Sequence, residues 1–480
     1  MSVLILLCGH CGVPESAGSA SFDTDVEARW SANLCHAAEE ALRGTRSVED
    51  LLTVGPDLEG QILVLEAAIR SGVDPLRIRF LDVWRVGKDA GDLIVHIRGA
   101  LARMRATGGV KDSPRRSART FRGALPRRSL LLPTVRYWAP LPRVDASRCV
   151  ADAGCDLCVR ACPASAIAGG NPPRIAPELC HGCSVCLAAC PVAAVGHPAL
   201  DFKGVEAEAG VLADGPRRTL LVACTATLVS LDSNELAAAP GPWRLLEVPS
   251  LGSLRSEQVL RLLAQGFDRI VAVGRGPCCP EGQAPFEVAR VLLANLGVPD
   301  RILFWNVQVG PVASDWAKAL PSGGRPLPAV RSIHELALAL AGSGGSAIDL
   351  PGRGAGLVTV EPDLCTFCEL CAERCPTAAL RIEDGDGGAV RITFDHELCD
   401  ACGLCSPVCP EGALRVRSAV DPAAVGRRDR LAEDTWVCCR SCGRKVAPAA
   451  MIAVVAARLS SPAGLDLCPD CKPLRLVPSR

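Results

Sequence analysis

The sequence predicts a multidomain protein of mixed class, α/β plus α+β. Three observations carry that reading. A chain of 480 residues is too long for one core. One cysteine motif occurs four times, grouped in two pairs. Outside the pairs, short apolar runs alternate with stretches of helical periodicity, the pattern of strands and helices in α/β layers.

Composition narrows the function before any motif is read. Lys plus Arg number 52 and Asp plus Glu number 52, a balance that argues against a general binder of nucleic acid or anionic membranes. No run of about 18 apolar residues occurs, so no membrane span is expected. The opening "MSVLILLCGHCG" lacks the basic start and small-residue cleavage site of a signal peptide, and reads as a buried first strand. Most of the 27 cysteines are separated by two or three residues. In a large chain without an export signal that pattern points to metal ligation in a reducing cytoplasm, not to disulfides.

Residues 1–100 read as a small α/β domain. Cys8 and Cys11 in "LCGHCG" follow the first strand directly. Their functional reading is a redox dithiol, or a metal site completed by Cys35 and His36 of "NLCHAAEE". The plainer reading, buried or idle cysteines, is the one the sequence alone favours. Residues 101–143 read as a basic Pro/Arg-rich linker; residues 101–150 hold twelve Lys and Arg against two acids. A solvated connector is the default for such a run, and an arm for an acidic subunit or RNA the sharper alternative.

Residues 144–200 contain the first pair of motifs, "CVADAGCDLCVRACP" from Cys149 and "CHGCSVCLAACP" from Cys180. Residues 357–418 contain the second, "CTFCELCAERCP" from Cys365 and "CDACGLCSPVCP" from Cys399. The motifs continue as "PASAI", "PVAAV", "PTAAL" and "PEGAL", so this is an internal repeat. A cubane cluster needs four soft thiolates around a small volume. C-x2-C-x2-C wraps three of them, and the cysteine before proline is directed to the other cluster of a pair.

The four segments resemble bacterial dicluster ferredoxins. The resemblance implies [4Fe–4S] ligand sets of Cys149, Cys155, Cys158 with Cys190, and Cys180, Cys183, Cys186 with Cys162. In the later pair it implies Cys365, Cys368, Cys371 with Cys409, and Cys399, Cys402, Cys405 with Cys375. The motif from Cys149 has five residues in its first gap instead of two. We read the insertion as a longer surface loop that removes no sulfur; a degenerate half-site with a three-iron cluster or none is the alternative.

Residues 215–340 differ in character. "TLLVACTATLV", "WRLLEVPS", "DRIVAVGRG" and "RILFWNV" read as buried strands, and "SEQVLRLLAQGF" and "PFEVARVLLANLGV" as helices, with Ser256 as an N-cap. The alternation predicts a Rossmann-like parallel sheet with Cys224, "PSLGSL" and "GRGPCC" at the strand carboxyl ends. Over roughly residues 217–310 the order resembles the delta, iron–sulfur subunit of methyl-viologen-reducing hydrogenases. That family passes electrons between a hydrogenase and a disulfide-reducing or bifurcating partner, and its domain carries a [2Fe–2S] cluster. Here "CTAT", "PSLG" and "GRGP" replace family cysteine positions. Cys224, Cys278 and Cys279 are one thiolate short, so the expectation is the fold without that cluster, serving as a docking surface.

Residues 341–356 read as a Gly/Ser linker, and residues 432–480 as a four-cysteine, zinc-ribbon-like module. Its ligands are Cys439, Cys442, Cys468 and Cys471, with Cys438 as a spare. Zinc and a rubredoxin-like iron both suit four thiolates; the helical "VAPAAMIAVVAARLSSPAGL" between the knuckles favours zinc.

No catalytic constellation accompanies these motifs. The leading reading is a non-catalytic, cytoplasmic subunit passing single electrons through four [4Fe–4S] clusters. The expected partners are a hydrogenase, a formate dehydrogenase or a flavin-containing, heterodisulfide-reductase-like complex. The alternatives are a thiol/disulfide oxidoreductase fed by the clusters, and an iron–sulfur or zinc regulatory or nucleic-acid-binding protein.

Overall fold

The computed structural model describes residues 3–43, 49–55, 58–73, 77–86, 89–106, 118–120, 136–138, 141–180, 182–197, 200–215, 219–231, 236, 239, 242–274, 283–306, 332–341, 346–459 and 464–472. Most of the basic linker, Cys278, Cys279 and part of the Gly/Ser linker lie outside them. The chain forms two compact units, one of residues 1–147 and 158–332, the other of residues 148–157 and 333–480.

The first unit opens with β1 (Val3–Cys8), in which every residue is buried. An unbroken apolar run is what a central parallel strand requires, since both its faces are covered. β2 (Val26–Ser31), β3 (Asp50–Val54) and β4 (Ile78–Leu81) complete a parallel sheet in the order β2-β1-β3-β4. Alternation along β1 sends Leu4, Leu6 and Cys8 into one core with Val64 and Ala67 of α1 (Leu58–Arg70). It sends Val3, Ile5 and Leu7 into another with Leu93 and Ile97 of α2 (Ala90–Ala106).

α3 (Phe202–Leu212) begins at Asp201, whose side chain accepts the Lys203 N–H at 3.0 Å. It packs along α2, where a Cβ on Gly99 would already touch Glu208 at 3.4 Å. Glu208 is buried there and accepts from Arg79 of β4 and Arg103 of α2, each at 2.9 Å. One carboxylate thus ties two helices to a strand.

A second parallel sheet follows: β5 (Thr219–Cys224), β6 (Trp243–Val248), β7 (Arg269–Gly274) and β8 (Ile302–Asn306), in the order β6-β5-β7-β8. The connecting helices include α4 (Ser256–Leu263) and α5 (Ala284–Asn295). Both sheets place their first strand second and run 2-1-3-4. Leu221 and Ala223 of β5 share the core of Ile5 and Leu7. The N-cap of α4 is Arg255, one residue earlier than the sequence suggested. The Gln258 side chain accepts the Arg255 N–H at 2.8 Å, so the third helical residue supplies the capping contact.

In the second unit β9 (Gly356–Val360) pairs antiparallel with β12 (Leu414–Val420), while β10 (Leu380–Asp384) and β11 (Ala389–Asp395) form a hairpin. β13 (Arg428–Cys438) lies along β11 and then pairs with β14 (Lys445–Pro448), giving the order β10-β11-β13-β14. Phe394, Ile392, Val390 and Phe367 form the buried centre. α6 (Ala449–Arg458) follows β14, and the Ala450 N–H donates to Asp434 at 2.8 Å.

Candidate metal centres

The cysteine loops are built on left-handed backbone. In three half-sites the second and fourth residues after the first cysteine have positive φ: Gly182 and Ser184, Phe367 and Glu369, Ala401 and Gly403. Alternating left-handed residues turn successive N–H groups inward, the arrangement of an anion-binding nest. In all four copies the third residue after the proline-preceding cysteine is also left-handed: Ser165, Ala193, Ala378 and Gly412. That turn lets the next amide reach back to sulfur, as Ala166 N–H to Cys162 at 3.2 Å, Ala194 to Cys190 at 3.1 Å and Ala413 to Cys409 at 3.3 Å.

The half-site at Cys149 departs from this pattern. Neither Ala151 nor Ala153 is left-handed, and the turn falls instead at Gly154, φ +81°. The Arg374 guanidinium donates to the Ala153 carbonyl, and a Cβ on Gly154 would collide with it. The inserted residues are therefore held by Arg374, a residue that no motif singles out.

Two cavities lie in the second unit. One, of about 370 Å³, is lined by Cys365, Cys368, Cys371 and Cys409 among apolar side chains such as Val360 and Ile392. The other, of about 310 Å³, is lined by Cys375, Cys399, Cys402 and Cys405, with Val358 and Phe394. Each takes three cysteines from one motif and its fourth from the other. Burial and neighbouring sulfurs push the thiols of Cys371, Cys399 and Cys405 up to about 12, and that of Cys402 to about 11. Backbone N–H groups at Ala401 and Leu404 pull Cys399 and Cys402 the other way. Such a pocket disfavours bare thiolates crowded together and suits them once a cationic iron core shares their charge.

In the first pair, burial raises the Cys186 thiol to about 12, reinforced by Cys183, Cys180, Cys158 and Cys162. Cys158, Cys180 and Cys190 are buried, while Cys149, Cys155, Cys162 and Cys183 are partly exposed. The carboxyl end of the second sheet holds this loop: Ser250 donates to the Cys183 carbonyl at 2.7 Å. Arg255 donates to the carbonyls of Leu187 and Cys190. The "PSLGSL" turn and Arg255 after it thus bind the neighbouring cysteine loop.

Near the C-terminus the sulfurs of Cys439, Cys442, Cys468 and Cys471 all lie within 4.8 Å of one another. Each pair sits on a tight turn, with Gly443 N–H to the Cys439 carbonyl at 2.8 Å and Cys471 N–H to the Cys468 carbonyl at 3.1 Å. The Cys468 amide is the main influence holding the Cys439 thiol at about 6; hydrogen bonding with Cys468 and Cys442 raises Cys471 to about 12. Exposed Cys438 stands outside this group.

At the N-terminus Cys8, Cys11 and Cys35 are buried together, with Sγ separations of 3.6 Å (8–11), 3.2 Å (8–35) and 3.1 Å (11–35). His36 is exposed, its ring edge-to-face on His10. Cys224, at the matching end of β5, meets Thr227 Oγ1 at 3.0 Å.

Compared with known proteins, residues 364–413 match the family described as a 4Fe-4S dicluster domain. No curated protein matches the chain. The chain therefore carries iron–sulfur chemistry of the electron-transfer kind in its second unit, and further cysteine groups fit metal sites. Among the described residues no helix is long and apolar enough to cross a membrane.

Proposed function

We propose that the protein is an electron-transfer subunit with four [4Fe–4S] clusters, two in each ferredoxin-like pair. The observation that carries this reading is the pair of cavities in the second unit, each lined by three cysteines of one motif and the proline-preceding cysteine of the other. They support Cys365, Cys368, Cys371, Cys409 and Cys399, Cys402, Cys405, Cys375 as ligand sets. Shared left-handed turns extend the reading to Cys180, Cys183, Cys186 and Cys162. Cys149, Cys155, Cys158 and Cys190 complete the proposal on the strength of the repeat. Bound there, each cluster would accept and release one electron.

The chain's own residues shape what those sites can do. Amides aimed at sulfur favour the reduced, more negative form, and apolar walls such as Val358, Phe394 and Ile392 limit water. We propose the middle segment, residues 215–340, as the dock, on the sequence resemblance of roughly residues 217–310 to a hydrogenase delta subunit; its four strands form a parallel sheet. Its partner would be a hydrogenase, formate dehydrogenase or flavin-containing reductase. Zinc is the proposed ion for Cys439, Cys442, Cys468 and Cys471.

Iron and acid-labile sulfide analysis of anaerobically prepared protein tests the cluster number. Four cubanes require about 16 iron atoms per chain. A value near 12 would mean that the half-site with the insertion holds no cubane. Anaerobic co-purification tests the partner: recovery of a redox enzyme supports the role, and isolation alone or with RNA removes it.

A further inference from the structure

We propose that Cys8, Cys11 and Cys35 form an additional metal site, taking one soft ion of the zinc class at the carboxyl end of the first sheet. The three sulfurs form a nearly equilateral triangle with edges of 3.6, 3.2 and 3.1 Å. A tetrahedral thiolate set around zinc at about 2.3 Å needs edges of roughly 3.8 Å, so small side-chain movements admit the ion. A redox dithiol predicts something else, two sulfurs close and the third apart. Here Cys35 is nearer to each member of the C-x2-C pair than they are to one another.

The fold assembles this triangle from separate parts of the chain. Cys8 ends β1, Cys11 lies in the following turn, and Cys35 lies just beyond the end of neighbouring β2. The Gly9 N–H donates to the Ser31 carbonyl at 2.8 Å and joins the two strand ends. All three cysteines are 5% exposed or less, so an ion there would be shielded from water on the thiolate side.

The second sheet provides an internal comparison. It has the same strand order and the same Cys-x2 spacing at the end of its first strand, yet Thr227 stands where the second sulfur would be. The fold therefore does not itself require a cysteine cluster at that corner. His10 and His36, adjacent in sequence to Cys11 and Cys35 and in ring contact with each other at 5.6 Å, are the imidazoles we assign to the rim.

The test is metal analysis of the full-length protein, prepared anaerobically, in three forms. Wild type should carry two zinc-class ions per chain. A form with Cys439, Cys442, Cys468 and Cys471 changed to Ser should keep one. A form with Cys8→Ser, Cys11→Ser and Cys35→Ser should also keep one, with its iron unchanged. An ion-free C-terminal variant, or a three-cysteine variant that loses iron instead of zinc, would overturn the site. Should the three-cysteine variant fail to fold, alkylation of wild type decides. Chelation must then expose Cys8, Cys11 and Cys35 to iodoacetamide, whereas unchanged labelling rejects the proposal. Iron is counted separately, so this result stands apart from the cluster assignment.

Discussion

Gly356 lies against one of the candidate ligands. A Cβ added there would come within 2.7 Å of Cys399 Sγ and 3.0 Å of the Ala401 amide. Neither can retreat easily, because Cys399 lines the smaller cavity and Ala401 is one of its left-handed residues. Gly356→Ala should cost one cluster, read as about four fewer iron atoms per chain in a protein with unaltered circular dichroism. Retention of full iron would show that the loop yields. Ala378 offers the opposite case. It is left-handed where another copy has Gly412, a conformation that disfavours a side chain by roughly 1–2 kcal/mol. Ala378→Gly should therefore stabilise the domain by about 1 kcal/mol in thermal or urea unfolding, with no change in iron content.

At the scale of elements, the Arg79–Glu208–Arg103 group fastens α3 to α2 and β4. Glu208→Gln would leave Arg103 buried without its counter-ion, an expected loss of about 3–5 kcal/mol in urea unfolding. Burial pushes the Glu208 carboxyl up, but Arg79 and Arg103 outweigh it and hold the group below its ordinary value. A depressed carboxyl contributes its full stability above the unfolded value, about 4.3 for Glu, and loses it as pH falls through the folded value. Wild type should lose stability over that acidic range, and Glu208→Gln should show a shallower slope there.

Elements were the most legible part of the sequence. β1 and β5 announced themselves because strands covered on both faces are apolar throughout, and the cysteine motifs because cluster ligands sit a few residues apart. What escaped depended on distance along the chain or on conformation. Cys35 joins Cys8 across 27 residues, a contact set by β1–β2 pairing and by no local pattern, so the sequence offered it only as the less favoured reading and added His36, which stands outside the sulfur group. The turns at Ser165, Ala193 and Ala378 use residues that carry no left-handed signature. The α4 cap fell on Arg255, one residue before Ser256, and Gln258 reaches back to accept the Arg255 N–H.

For the molecule as a whole, β13 joins two kinds of structure. Its first part continues the sheet of the dicluster domain, pairing with β11 from Asp395 to Ala389, and its end delivers Cys438 and Cys439 to the C-terminal turns. Residues 364–413, the stretch that matches the family, stop before this strand begins. A protein shortened to end before Arg428 would keep every cysteine of the second pair and lose the cover over β11. The edge of β11 that β13 covers, along "AVRITFD", would then face solvent as a ready template for another chain, while β10 still holds its other edge. Light scattering should find that shortened form self-associating while the full chain does not. The terminal module would then count as a guard against misassembly, whatever ion it holds.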